Sequence, residues 1–122
     1  MNQPIIRNIV CTTQIPTAGL DLRQLSVKLW NSEYRPARFT ALVLRIKEPV
    51  RATALIFPNG KMVCVGTTSL VDAEKAVTQF VNKIVGGNPI APMAVKNIVC
   101  SFTLGEKLGM NGELFFTKNF DD

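Results

Sequence analysis

Apolar residues at Leu22, Leu25 and Leu29 follow the i, i+3, i+7 spacing of a helix face. They begin just after the chain-turning Pro16-Thr17-Ala18-Gly19 and predict a short helix over 21–30. Residues 39–46 alternate instead, as strand residues do, with Phe39, Ala41, Val43 and Arg45 on one side and Thr40, Leu42, Leu44 and Ile46 on the other. Glu48-Pro49 ends that run. The runs 51–57 and 61–65 flank Pro58-Asn59-Gly60, where proline suits the first turn position and glycine the left-handed one, so a three-residue hairpin loop with a bulge is expected. That loop sets Phe57 opposite Lys61 and Leu55 opposite Val63. Leu55, Phe57, Lys61, Val63 and Val65 then share a face, with Ala54, Ile56, Met62 and Cys64 behind them. Ser69, with Asp72 three residues on, caps a longer helix whose apolar stripe is Leu70, Ala73, Val77, Phe80 and Ile84 and whose end is Gly86-Gly87.

The long helix is expected to cover the Leu42, Leu44, Ile46, Ile56, Met62 and Cys64 side of an antiparallel sheet. The opposite side combines Asn8, Val10, Phe39, Ala41, Val43, Leu55, Phe57, Val63 and Val65, bordered by Arg45 and Lys61. Two apolar faces on one sheet require a second covering layer or leave an apolar binding surface. Residues 88–122 supply only one more strand and a short helix, too little for a second layer. On pattern alone Phe39 and Phe57 also read as ordinary core aromatics, Asn8 and Asn97 as strand or turn starters, and Arg45 and Lys61 as solvated edge charges.

The 122 residues allow one compact domain, or one and part of another, and 47% hydrophobic against 19% charged residues is enough for a real core. No apolar run reaches the roughly 18 residues of a spanning helix, and Met1-Asn2-Gln3-Pro4 does not open a secretory leader. No membrane partner is expected. The three cysteines, Cys11, Cys64 and Cys100, sit in apolar runs without C-x-x-C spacing, which suits reduced core thiols. Histidine is absent, which removes His-based acid–base chemistry and catalytic triads, and no phosphate-binding glycine loop or carboxylate cluster stands in its place. The sequence therefore points to binding, not catalysis, with no cofactor. Of the net charge of +5, residues 1–65 hold nine Lys/Arg against three Asp/Glu, whereas residues 66–122 hold five against six. A basic front half fits a polyanion on one face, or simply a solvated basic surface.

Asn8-Ile9-Val10-Cys11 recurs 89 residues later as Asn97-Ile98-Val99-Cys100, each copy opening a strand-like run. An offset of that size implies a duplicated subdomain. The expected division is a complete first repeat over 1–90 and the opening strand and short helix of a second over 91–122.

Four blocks, Asn31-Ser32-Glu33-Tyr34-Arg35-Pro36-Ala37-Arg38-Phe39, Arg45-Ile46-Lys47-Glu48-Pro49, Thr53-Ala54-Leu55-Ile56-Phe57 and Gly60-Lys61-Met62-Val63, resemble the core of the TATA-box-binding protein family in order and spacing. The resemblance implies an α+β fold: a curved antiparallel sheet with helices on the convex face and a concave face that lies on the DNA minor groove. It implies that Phe39 and Phe57 are a pair of wedges that unstack a base step, and that Asn8 and Asn97 bond to acceptors on the groove floor. Val10, Leu55, Val63 and Val99 would supply apolar contacts, and Arg45 and Lys61 would meet phosphates. Val65 departs from the family, which usually has a hydrogen-bonding threonine there. The chain also stops before the second repeat's own phenylalanine pair.

The function implied is that of a transcription-initiation factor that binds and kinks A·T-rich promoter DNA, with double-stranded DNA and general transcription factors as partners and a nuclear location. An interaction module for general transcription factors with weak DNA binding is the alternative, and a homodimer that completes the saddle is a further expectation.

Overall fold

The computed structural model describes residues 5–87, 92–103 and 113–120. In chain order the elements are β1 (Ile5–Gln14), α1 (Leu22–Lys28), β2 (Ser32–Glu33), β3 (Leu42–Ile46), β4 (Ala52–Ile56), β5 (Lys61–Thr67), α2 (Leu70–Val85), β6 (Met93–Thr103) and β7 (Glu113–Asn119). All seven strands form one sheet in the order β2-β3-β4-β5-β1-β6-β7, every neighbouring pair antiparallel. The expected α+β architecture, an open antiparallel sheet with helices, is what the chain adopts.

Strand alternation decides which side is covered. Ile9, Cys11, Leu42, Leu44, Ile46, Ala54, Ile56, Met62 and Cys64 point to one side and are buried. Onto them α2 packs Ala73, Ala76, Val77, Phe80, Val81 and Ile84, and α1 adds Leu22 and Leu25, so the core is a single layer between sheet and helices. The helix ends follow local chemistry. The Asp21 side chain accepts from the Arg23 and Gln24 amides at the start of α1, the Ser69 hydroxyl accepts from the Asp72 amide at the start of α2, and Gly86 closes α2 at φ 75°.

The β4–β5 hairpin has the expected register. Leu55 pairs with Val63 and Ile56 with Met62, the Phe57 amide donates to the Lys61 carbonyl at 2.9 Å, and Gly60 sits at φ 89°. The loop is tied to the segment after β1, because the Ile15 amide donates to the Gly60 carbonyl and the Leu20 amide to the Pro58 carbonyl.

Four expectations need correction. The third strand begins at Leu42, not Phe39: the Arg38 and Phe39 amides both donate to the Arg35 carbonyl, which makes 35–39 a turn. Ala41, expected on the uncovered side, is buried, because the alternation starts only after that turn. Leu70 is 52% exposed; as the first residue of α2 it lies before the helix has crossed onto the sheet. Residues 113–119 form a second strand, β7, beside β6 where the sequence suggested a single strand; the short helix expected within 91–122 has no stated bounds, and residues 104–112 lie outside the described part.

Candidate nucleic-acid interface

The side of the sheet away from the helices is not covered by any described element. Asn8, Val10, Thr12, Val43, Leu55, Phe57, Val63 and Val65 are half-buried there by their neighbours in the sheet, and Arg45 and Lys61 are exposed. Register joins them into a continuous row. Val43 faces Leu55, Leu55 faces Val63, Val63 faces Thr12, and Thr12 faces Ala94, which carries the apolar strip across five strands. A second, more polar row is Arg45, Thr53 and Val65.

The two copies of the Asn-Ile-Val-Cys motif meet at the sheet centre. Asn8 pairs with Val99, Ile9 with Ile98 and Val10 with Asn97, an arrangement that maps onto itself when the strands are exchanged. Register shifts flank this core on both sides, between Ile6 and Asn8 and between Val10 and Cys11, so each copy is set off by an irregularity. The asparagines differ in surroundings. Asn8 accepts a 2.7 Å hydrogen bond from the Gly66 amide, whereas the Asn97 carbonyl oxygen is buried with no hydrogen-bond partner among the described residues.

Phe39 and Phe57 come together at one end of the face although one stands in a turn and the other at a hairpin neck. Their ring centroids are 6.3 Å apart at 74°, an edge-to-face pair, with Phe39 45% exposed. The Arg35 turn places the first ring and the three-residue loop the second. The pattern misassigned the backbone under Phe39 but not its neighbour. Beside the turn, Arg35 forms an exposed 3.1 Å ion pair with Glu33.

Every residue singled out from the sequence lies in the described part. Asn8, Val10, Arg45, Leu55, Phe57, Lys61 and Val63 occupy the uncovered side, Phe39 joins them through Phe57, and Asn97 and Val99 are brought beside Val10 and Asn8 by strand pairing. Sequence reasoning missed Thr12, Ala94 and Thr53, which complete the rows, and Gly66, which holds Asn8. A lone glycine between Val65 and Thr67 in an otherwise strand-like run was the available signal for a bulge there.

The covered side holds the other notable group. Cys11 and Cys64 are directly cross-strand and buried, and the Cys11 thiol donates to the Cys64 carbonyl at 3.8 Å. The Cys11 thiol as side-chain hydrogen-bonding neighbour, together with burial, pushes the Cys64 thiol far above its ordinary range. Cys100 is only half-buried, in contrast to the core placement expected of it. Among the described residues, no three His, Cys, Asp or Glu side chains gather in a way that could hold a metal ion, and no helix is long and apolar enough to cross a membrane.

The described residues thus form a helix-backed antiparallel sheet with one uncovered face, lined by valines, amides and an aromatic pair and edged by cations. The family described as "Transcription factor TFIID (or TATA-binding protein, TBP)" matches residues 3–85. The TATA-box-binding protein of Archaeoglobus fulgidus is 46% identical over 110 residues, 87% of this chain and 59% of the relative. That of Artemia franciscana is 44% identical over 77 residues, 63% of this chain and 27% of the relative. Among solved structures, Methanococcus jannaschii TBP superposes with a TM-score of 0.68 at 29% identity, covering 84% of this chain and 60% of the other. The chain belongs to the TATA-binding protein family, and it spans about 60% of the length of these archaeal relatives. Because relatives come from archaea as well as from animals, family membership does not select the nuclear location that the sequence suggested.

Proposed function

We propose that this chain is a transcription-initiation factor of the TATA-binding type that lays the uncovered face of its sheet on the minor groove of A·T-rich duplex DNA and kinks it. The observation that carries this reading is the combination on one face of an apolar strip five strands wide, two central asparagines and an edge-to-face phenylalanine pair. The minor groove offers the A N3 and T O2 acceptors and, at G·C pairs, a protruding amino group. An apolar face with a few amide donors complements the first and excludes the second. Phe39 and Phe57 act as the wedge, and easily unstacked T·A steps add selectivity through their low deformation energy. Val10, Leu55, Val63 and Val99 contact the sugars and groove floor, Asn8 and Asn97 donate to its acceptors, and Arg45 and Lys61 meet phosphates. In this reading residues 1–90 are one repeat and 91–122 the beginning of another.

General transcription factors are the proposed protein partners. An outer surface for them is supported by Val27 and Trp30, 86% and 90% exposed, whose apolar area the sheet does not use. A second copy of the chain is the remaining proposed partner.

Titration of a TATA duplex against a G·C-rich duplex of equal length, at several salt concentrations, tests the reading. The expected result is preference for TATA that disappears in the Phe39→Ala, Phe57→Ala double variant while a salt dependence persists. Stoichiometry in the same titration separates one chain per site from two. Equal binding to both duplexes by the unaltered chain would leave the protein-interaction role alone.

A further inference from the structure

The uncovered face carries a detail that groove binding by itself does not require. Between Cys11↔Cys64 and Ile9↔Thr67, β1 advances two residues while β5 advances three, so β5 bulges at 65–66. Gly66 sits in that bulge at φ 100°, and its amide, turned out of the ladder, donates to Asn8 Oδ1 at 2.7 Å. A backbone N–H only donates, so the Asn8 atom facing it is the carbonyl oxygen and never the NH2 group. The bond turns that oxygen toward Gly66 and fixes which way round the amide stands, so what Asn8 has left to direct at a ligand on the uncovered face is its NH2 group with two N–H donors. Asn97, at the equivalent place in the second motif, is not held in this way.

We propose that the Gly66 amide is a positioning group that fixes Asn8 as a one-way hydrogen-bond donor, and that this fixed polarity sets the preference for A·T over G·C at the base pair Asn8 faces. The inference rests on the minor-groove reading above. A free asparagine amide can flip by half a turn and present its oxygen to the guanine amino group, so it reads A·T and G·C pairs with little distinction. An asparagine whose oxygen is held toward its own backbone partner cannot flip and turns N–H toward that amino group, donor against donor. Asn8 thereby becomes a discriminating residue, whereas Asn97 has no such bond to set its polarity, which makes the two halves of a nearly symmetric face unequal readers.

The test removes one hydrogen. In a full-length chain assembled by ligation, glycolic acid in place of Gly66 turns the amide into an ester, deleting the N–H and keeping the backbone path. Both chains are titrated with duplexes that differ at one central pair, A·T, inosine·C or G·C; inosine lacks the amino group. The expected result is that the unaltered chain ranks A·T and inosine·C above G·C, and that the ester chain loses about tenfold of that A·T to G·C ratio. A ratio unchanged by the ester overturns the inference while leaving the groove reading intact, even if affinity drops for all three duplexes. An unaltered chain with no preference overturns the groove reading and this inference with it. Should the ester chain fail to fold, NMR on the unaltered protein decides: a scalar coupling across the hydrogen bond between Gly66 15N and Asn8 13Cγ that persists on the A·T duplex is expected, and its absence without DNA or its loss on binding refutes the lock.

Discussion

Gly60 shows how one residue sets the geometry of the hairpin that carries Phe57. It closes the β4–β5 loop at φ 89°, and a Cβ there would lie 2.7 Å from Gln14 Nε2 and 3.1 Å from the Ile15 carbonyl oxygen. The loop is held against the same residues, since the Gly60 carbonyl accepts from the Ile15 amide and the Gln14 side chain donates to the Asn59 carbonyl. Gly60→Ala is therefore expected to destabilise the fold by about 1–2 kcal/mol, readable as a lowered denaturant midpoint at unchanged slope. The thiols give a second residue-scale prediction. Cys11 and Cys64 lie under α2, with Cys64 held protonated by the neighbouring Cys11 thiol and by burial, whereas Cys100 is half-buried. Mass spectrometry after iodoacetamide treatment of the native protein should show Cys100 modified first, and labelling of Cys64 ahead of it would contradict the assigned packing.

At the scale of elements, the clearest dependence is that of α2 on its cap. Ser69 accepts from the Asp72 amide at 3.0 Å and Asp72 adds negative charge to the first turn, so Ser69→Ala should cost about 1 kcal/mol in chemical denaturation. Elements of this kind were legible in the sequence because their signals are local. The cap, stripe and double glycine of α2, and the Pro58-Asn59-Gly60 loop with its register, lie within a few residues of what they control. The start of β3 was not, because Arg35 closes a turn through the Arg38 and Phe39 amides and shifts the start of alternation to Leu42. The pairing of β1 with β6 was equally out of reach. Periodicity says that both are strands but not that partners 89 residues apart lie side by side with Ile9 against Ile98. The repeat hinted at kinship, and only the register turned it into adjacency.

At the scale of the molecule, the described residues form one sheet with both helices packed on the same side. The excess of basic residues, nine against three acidic ones, lies in 1–65, which also contributes Arg45 and Lys61 to the uncovered face. If these two meet phosphates, Lys61→Ala and Arg45→Ala should each weaken binding to TATA and G·C-rich duplexes alike and lower the slope of log affinity against log salt by about 1. Family resemblance supplied the expectation that this face is the working one, and alternation with turn register had already grouped most of its members. What neither supplied was the bulge that ties Gly66 to Asn8, since a bulge depends on how two distant strands fall into step. The measurement that bears most directly on the account is methyl-detected NMR of the chain titrated with a TATA duplex. The account predicts that Val10, Val43, Leu55, Val63 and Val99 shift together while Val71 and Val85 of α2 stay in place; shifts centred on α2 with the valines of the uncovered face unmoved would contradict it.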